Sequence, residues 1–220
     1  MKKICLIAGH TQGGGEGAMN LKTKETENMI TRAFLPSIFN ILRKEMAIDL
    51  CPFNYTLQQK INYINEQVTL PLITLEFHLD SSAKRKEKGA MCYYYGGDED
   101  SRKRAMEILK IYCDKTGIKN NGVKPDTASR FGRLGIIRET KGWSFLLELG
   151  SINNDLEAVK KEAPEGILGV IRHLFNKHET IIPEYLVWAK KMGLIEHFQG
   201  VSEKVTLGNI LEILFYLSQK

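Results

Sequence analysis

The hydrophobic pattern along the chain switches repeatedly between two periods. Lys3-Ile4-Cys5-Leu6-Ile7-Ala8 is a short continuous apolar run closed by Gly9-His10. Leu72-Ile73-Thr74-Leu75-Glu76-Phe77-His78-Leu79-Asp80 and Ser144-Phe145-Leu146-Leu147-Glu148-Leu149-Gly150 have the same shape. Runs of this length, bounded by turn residues, read as strands buried in a sheet. Residues 47–53, 89–95 and 134–138 predict three more. Between them the spacing becomes helical. Ile30, Phe34, Ile38, Ile41 and Leu42 form a stripe on a helix predicted over residues 25–44, which Pro36 should kink or locally disturb. Leu57, Ile61 and Ile64 mark the inner face of a helix over 57–66. Ala105, Ile108, Leu109 and Tyr112 do the same over 98–116, where Gly117 supplies the stop. Residues 122–133 are polar and broken by glycine, and predict a loop over a site. A capping turn at Ile152-Asn153-Asn154-Asp155 precedes a helix predicted over 163–176.

Strands and helices in alternation predict an α/β fold with a single mixed central sheet flanked by helices. Beyond His178 the texture changes. Residues 183–195 and 206–217 predict two helices and no strand. Two short helices bury little surface alone, so this piece must dock on the main domain or on a partner. The chain thus divides into a main domain over 1–178 and a small helical C-terminal appendage over 179–220.

A length of 220 residues is enough for one good-sized core, and a charged fraction of 26% is ordinary for a globular chain. The net charge of +5 favours polyanionic surroundings, either nucleic acid or an anionic cell wall. No nucleic-acid motif accompanies it. The basic run Ala83-Lys84-Arg85-Lys86-Glu87-Lys88 reads as a solvated loop or as one wall of a groove for an anionic substrate. The four cysteines have no CxxC spacing, and Cys5 and Cys92 sit inside strand-like runs, so buried thiols and a reducing compartment are expected. Met-Lys-Lys is followed by only five apolar residues before Gly-His, too few for a signal-peptide core. No stretch approaches the length of a membrane span. A cytoplasmic location until release is the expectation. The loop Thr11-Gln12-Gly13-Gly14-Gly15-Glu16-Gly17 lacks the lysine and serine of a phosphate-binding loop and fails the GxGxxG spacing.

In open α/β sheets, reacting groups collect beyond the carboxyl ends of the strands. Three predicted strands end in His10, His78 and Glu148, which points to one shared site. Zinc takes imidazole nitrogen and carboxylate oxygen, and catalytic zinc keeps three protein ligands. His10, His78 and either Glu27 or Glu25 supply such a set. Glu27 falls three residues before Ile30, on the buried edge of its helix. Glu25 is rotated by about 200° toward solvent at roughly 100° per residue. An acid/base group is then needed to take a proton from water and pass it to a leaving amine. Glu148, with apolar neighbours that raise its pKa, is placed for that role. His173, His178 and His197 read as surface or cap residues.

The order of these segments resembles the zinc-dependent N-acetylmuramoyl-L-alanine amidases of the Amidase_3 family, many phage endolysins among them. The resembling stretches are Ile7-Ala8-Gly9-His10, Glu27 opening its helix, Leu57 to Asn65, Phe77-His78-Leu79-Asp80, Gly122-Val123-Lys124, Leu134-Gly135-Ile136-Ile137-Arg138 and Leu147-Glu148-Leu149-Gly150-Ser151-Ile152-Asn153-Asn154. They span residues 3 to about 176 in the family's order. The resemblance implies hydrolysis of the amide between N-acetylmuramic acid and the first L-alanine of the peptidoglycan stem. It implies Zn2+ held by His10, Glu27 and His78, with Glu148 as base and then acid. Core positions three, seven and eleven residues after the ligand favour Glu27 over Glu25. Arg138 and Lys124 would line the groove. Two departures stand out: the loop between Leu21 and Glu27 is a residue or two longer than the family's, and Asp80 replaces a frequent asparagine. The appendage is similar to short helical segments behind some phage lysin domains, and loosely to an S-layer-homology-like unit. Peptidoglycan is the expected partner, for a phage endolysin or a bacterial autolysin. The competing readings are another zinc amidohydrolase or carboxypeptidase, and a non-catalytic wall-binding module.

Overall fold

The computed structural model describes residues 3–66, 73–81 and 88–177. The readings made for residues 83–87, for the appendage, and for His178 and His197 lie outside the described residues.

Six strands form one mixed sheet in the order β2-β1-β3-β6-β4-β5. They are β1 (Ile4–Ala8), β2 (Ile48–Leu50), β3 (Ile73–Asp80), β4 (Ala90–Tyr94), β5 (Asn120–Pro125) and β6 (Trp143–Ser151). β2, β1, β3 and β6 run parallel, β4 pairs antiparallel to β6, and β5 runs parallel to β4. The parallel arrangement brings the carboxyl ends of β1, β3 and β6 side by side. Ala8 pairs with Phe77, and His78 pairs with Glu148. A register irregularity follows directly between His78 and Asp80. Bulges concentrate beside active sites because they re-aim a side chain.

The helices are α1 (Glu27–Leu42), α2 (Leu57–Asn65), α3 (Glu99–Thr116), α4 (Gly135–Arg138) and α5 (Leu156–Lys177). They cover the two sheet faces unequally. Residues of α1, α3 and α5, including Phe34, Ile38, Tyr112 and Ile171, pack with Leu6, Leu75, Phe77, Phe145 and Leu147 in the main core. A smaller core joins Cys5, Ile7 and Leu146 to Ile61 and Ile64 of α2 and to Ile136 and Ile137 of α4. Successive strand residues face opposite ways. In β3 this sends Leu75, Phe77 and Leu79 into the main core and leaves Thr74, Glu76, His78 and Asp80 on the other face. In β6, Glu148 shares the lightly covered face with Leu146. The polar groups at the strand ends therefore collect on one side of the sheet.

Several elements differ from the sequence reading. Thr26 is the N-cap of α1 and accepts from the Met29 amide, so Glu27 opens the helix and Glu25 lies before it rather than in the first turn. Pro36 is accommodated within a continuous helix. Ile41 is exposed, while Asn28, Thr31 and Leu35 are buried. Residues 120–125 form a strand, not a loop. This strand lies at the sheet edge and is largely exposed, so it carries no apolar period to betray it. Residues 134–138 form a helical turn, not a strand, because a short apolar run is ambiguous between the two. The last helix begins at Leu156 and runs through Pro164. All four cysteines are buried and free, as expected. Among the described residues no helix is long and apolar enough to cross a membrane.

Candidate active site

His10 leaves β1 with a φ of 62°, the left-handed region that costs a non-glycine residue on the order of 1 kcal/mol or more. The surrounding chain holds it there. The Gly9 amide donates to the Phe77 carbonyl at 2.8 Å, and the Asn28 side-chain amide donates to the Gly9 carbonyl at 2.8 Å. Glu27 is delivered by the first residue of α1, and His78 by the carboxyl end of β3. His10 Nε2 lies 3.0 Å and His78 Nδ1 3.2 Å from the same Glu27 oxygen, Oε2. The other oxygen, Oε1, accepts from the Ala18 amide at 2.8 Å. The two imidazole rings meet edge to face, with centroids 4.8 Å apart.

Two glycines make room for this cluster. A Cβ on Gly9 would lie 2.5 Å from the His78 ring. On Gly17, where φ is +81°, it would lie 2.4 Å from the His10 ring and 2.9 Å from the Glu27 carboxyl carbon. One ligand atom from each of His10, Glu27 and His78 lies within 4.8 Å of the others. Two imidazole nitrogens and one carboxylate oxygen, gathered in a pocket shaped by missing side chains, fit a three-ligand metal site. Gly17→Ala is expected to push His10 and Glu27 apart and to lower activity on the order of a hundredfold, since misplacement near 1 Å costs that much. Gly14→Ala is the control: its Cβ meets only Thr11, at 3.6 Å, and activity should be unchanged. Assays of both variants on purified cell walls check this.

Electrostatics tie the cluster together. Burial raises the Glu27 pKa, but hydrogen bonds from His10 and His78 outweigh it and hold the carboxyl down at about 2. Burial opposes protonation of His78, yet the charge of Glu76 and the contacts to Glu27 and Glu76 lift it to about 10. Glu148 goes the other way. Burial pushes its carboxyl up to about 8, against the His78 charge and with the help of Glu27, Asp80 and Glu76. Its Oε2 is buried without a hydrogen-bond partner. All of these open into one groove of about 750 Å³. Beside them the groove is lined by Tyr93, Lys124, Arg130, Phe131 and Arg133.

The sequence-predicted residues fare differently. His10, Glu27, His78 and Glu148 come together. Glu25 does not: its carboxylate pairs with Lys160 at 2.8 Å, away from the cluster. Glu25→Ala should leave activity within about twofold of the parent and stability within about 1 kcal/mol, as for other exposed ion pairs. Parallel turnover and denaturant titrations would check it. Lys124 lines the groove as expected. Arg138 braces the fold instead, donating to both oxygens of the buried Asp126 at 2.6 and 2.8 Å and lying over the Tyr95 ring. His173 is half-exposed and bonds to Glu107. In the glycine-rich loop the Gly13 amide is occupied by the Glu16 carboxylate at 3.1 Å.

Two residues escaped the sequence reading, Lys60 and Glu76. Both are buried in an ion pair of 3.3 Å. A signal existed for each. Thr74, Glu76, His78 and Asp80 recur with period two in a strand otherwise apolar. Lys60 lies four residues before Ile64, on the helix face that turns inward, whereas Leu57, expected on that face, is exposed.

Among curated proteins none matches the sequence significantly. The fold is shared with the catalytic domain of CwlV, an N-acetylmuramoyl-L-alanine amidase from Bacillus (Paenibacillus) polymyxa var. colistinus. That match has 23% identity, a TM-score of 0.67, and covers 80% of this chain and 99% of the other. The catalytic domain of the CD27L endolysin targeting Clostridia Difficile matches with 27% identity and a TM-score of 0.60, over 80% of this chain and 98% of the other. The amidase AmiC2 of Nostoc punctiforme matches at 19% identity and a TM-score of 0.63, over 79% and 97%. The family described as N-acetylmuramoyl-L-alanine amidase, Amidase_3, matches residues 4–166, which takes in every strand and all four converging residues. This chain therefore belongs to the Amidase_3 family of N-acetylmuramoyl-L-alanine amidases.

Proposed function

We propose that this chain is a zinc-dependent peptidoglycan hydrolase. It cleaves the amide bond between N-acetylmuramic acid and the L-alanine of the stem peptide. The observation that carries this reading is the convergence of His10, Glu27 and His78 on one point, with Glu148 paired in register beside His78 on the floor of the same groove. In this reading His10, Glu27 and His78 hold Zn2+, which when bound supplies Lewis acidity to the scissile carbonyl. The remaining chemistry belongs to the chain. Glu148 accepts a proton from the attacking water at its unpartnered Oε2 and returns it to the leaving alanine nitrogen. Burial raises its pKa and keeps its basicity near the working range. Lys124, Arg130 and Arg133 give the groove a positive rim suited to the stem-peptide carboxylates.

A binding module would have no use for a buried carboxylate with an unpaired oxygen, because such a group costs stability without serving adhesion. The likeness to an endolysin catalytic domain supports a lytic role, as a phage endolysin or a bacterial autolysin acting on the cell wall. Residues 1–178 would form the catalytic domain. Residues 179–220 would serve wall attachment, self-association or packing. The test is turbidity loss on purified peptidoglycan with amino-terminal analysis of the products. New L-alanine amino termini from the metal-loaded chain, lost on chelation, are the expected result. New reducing sugar ends would overturn the assignment in favour of glycan cleavage, and release of a terminal amino acid would favour a carboxypeptidase.

A further inference from the structure

We propose that Lys60 and Glu76 form a buried positioning pair that sets both histidines of the metal site. This inference rests on reading His10, Glu27 and His78 as metal ligands. An imidazole offers a lone pair to a cation through one nitrogen only when the proton sits on the other. His78 Nδ1 faces Glu27, and its Nε2 lies 3.4 Å from Glu76 Oε2. At 3.4 Å this is a charge contact rather than a hydrogen bond, and the nearby carboxylate charge favours the proton on Nε2, which leaves Nδ1 for the ion. Ligand histidines depend on such an outer partner for ring orientation and basicity.

Glu76 cannot serve alone. It is buried in the middle of β3, between Ile7 of β1 and Leu146 of β6, and an unpaired charge there would be strongly disfavoured. Lys60 balances it from α2. An ammonium group has three protons to donate. Lys60 places them on Glu76 Oε1 at 3.3 Å, on the Ala8 carbonyl at 2.7 Å and on the His10 carbonyl at 2.7 Å. The last two contacts clamp the end of β1 where the chain turns left-handed at His10. One ion pair thus reaches His78 through its ring and His10 through its main chain. It adds no net charge to the site. The helix that carries Lys60 is fixed just before it by a reciprocal capping box between Thr56 and Gln59.

The test measures metal binding rather than turnover. Zinc affinity is read by competition with a chromophoric chelator. Cobalt(II) substituted for zinc reports ligand geometry through its visible absorption. The full chain is compared with Glu76→Gln and with the double variant Glu76→Gln/Lys60→Met, in which no buried charge is left unpaired. Glu76→Gln is expected to weaken zinc binding about 10- to 100-fold and to shift the cobalt spectrum. The double variant is expected to lose a further severalfold, which isolates the hold of Lys60 on His10. A denaturant midpoint on each sample verifies the fold. Folded variants with parental zinc affinity and an unshifted cobalt spectrum would overturn the proposal. A parent chain that takes up neither ion would overturn the metal reading itself, and this inference with it.

Discussion

Glu148→Gln is expected to abolish turnover while leaving the fold and the metal site intact. The substitution keeps the shape of the side chain and removes its capacity to take a proton. General acid–base catalysis contributes about 10²- to 10⁴-fold, and here one group serves both halves of the reaction. A loss of at least about a thousandfold in kcat is therefore expected. Zinc affinity should hold within a few-fold, because Glu148 lies beside His10, Glu27 and His78 and is not one of the three groups that could hold the ion. The pH profile gives an independent reading. A base must be ionised to act, so activity rises with pH through its pKa. In the metal-free chain burial places that pKa at about 8. A divalent cation beside it favours the ionised form and draws the limb to lower pH. The rising limb should disappear in the residual activity of the glutamine variant. A variant that retains more than a tenth of the parent kcat would remove Glu148 from the mechanism.

Metal removal should be visible in stability as well as activity. A ligand that binds only the folded state at 100 times its Kd stabilises by about 2.7 kcal/mol. For a domain of this size, about 1 kcal/mol moves the melting temperature by roughly 2–4 °C. Saturating zinc is thus expected to raise the Tm by roughly 5–10 °C over the chelated chain. Glu27→Gln should lose this response along with activity. Glu27 also bonds to both imidazoles, so removing its charge weakens these native contacts too. Melting curves of parent and variant, each with chelator and with zinc, separate the two effects. A zinc-dependent Tm rise of parental size in Glu27→Gln would argue that the ion sits elsewhere.

Much of this site is legible in the sequence. The apolar runs ending in His10 and His78 and enclosing Glu148 fix three strands, and parallel strands put their ends together. The stripe Ile30, Phe34, Ile38 is what separates Glu27 from Glu25, and Thr26 as N-cap completes the reason. What escaped was of three physical kinds. β5 is polar and lies at the sheet edge, so burial leaves no periodic trace in it. Residues 134–138 form too short a run for strand and helical turn to be told apart. Lys60 and Glu76 each leave a trace on an inward face, but that they pair across 16 positions has no local signature. Arg138 was placed with the groove because of its position in a motif, whereas its geometry commits it to Asp126.

The register of the sheet also sets when this site comes into being. His78 and Glu148 are cross-strand partners separated by about seventy positions of sequence, and His10 and Glu27 enter from the other flank. Closing so long a loop costs entropy that the pairing of β3 with β6 must offset, and the pairing of β1 with β3 closes one as long. The segments before β6 hold the three proposed ligands but not the proposed acid/base. On a growing chain, the segments that carry His10, Glu27 and His78 therefore emerge before Glu148. The last strand of the parallel layer in chain order is the one that carries the proposed acid/base, so a chain cut short before it would keep the proposed ligands and lack the proposed catalyst.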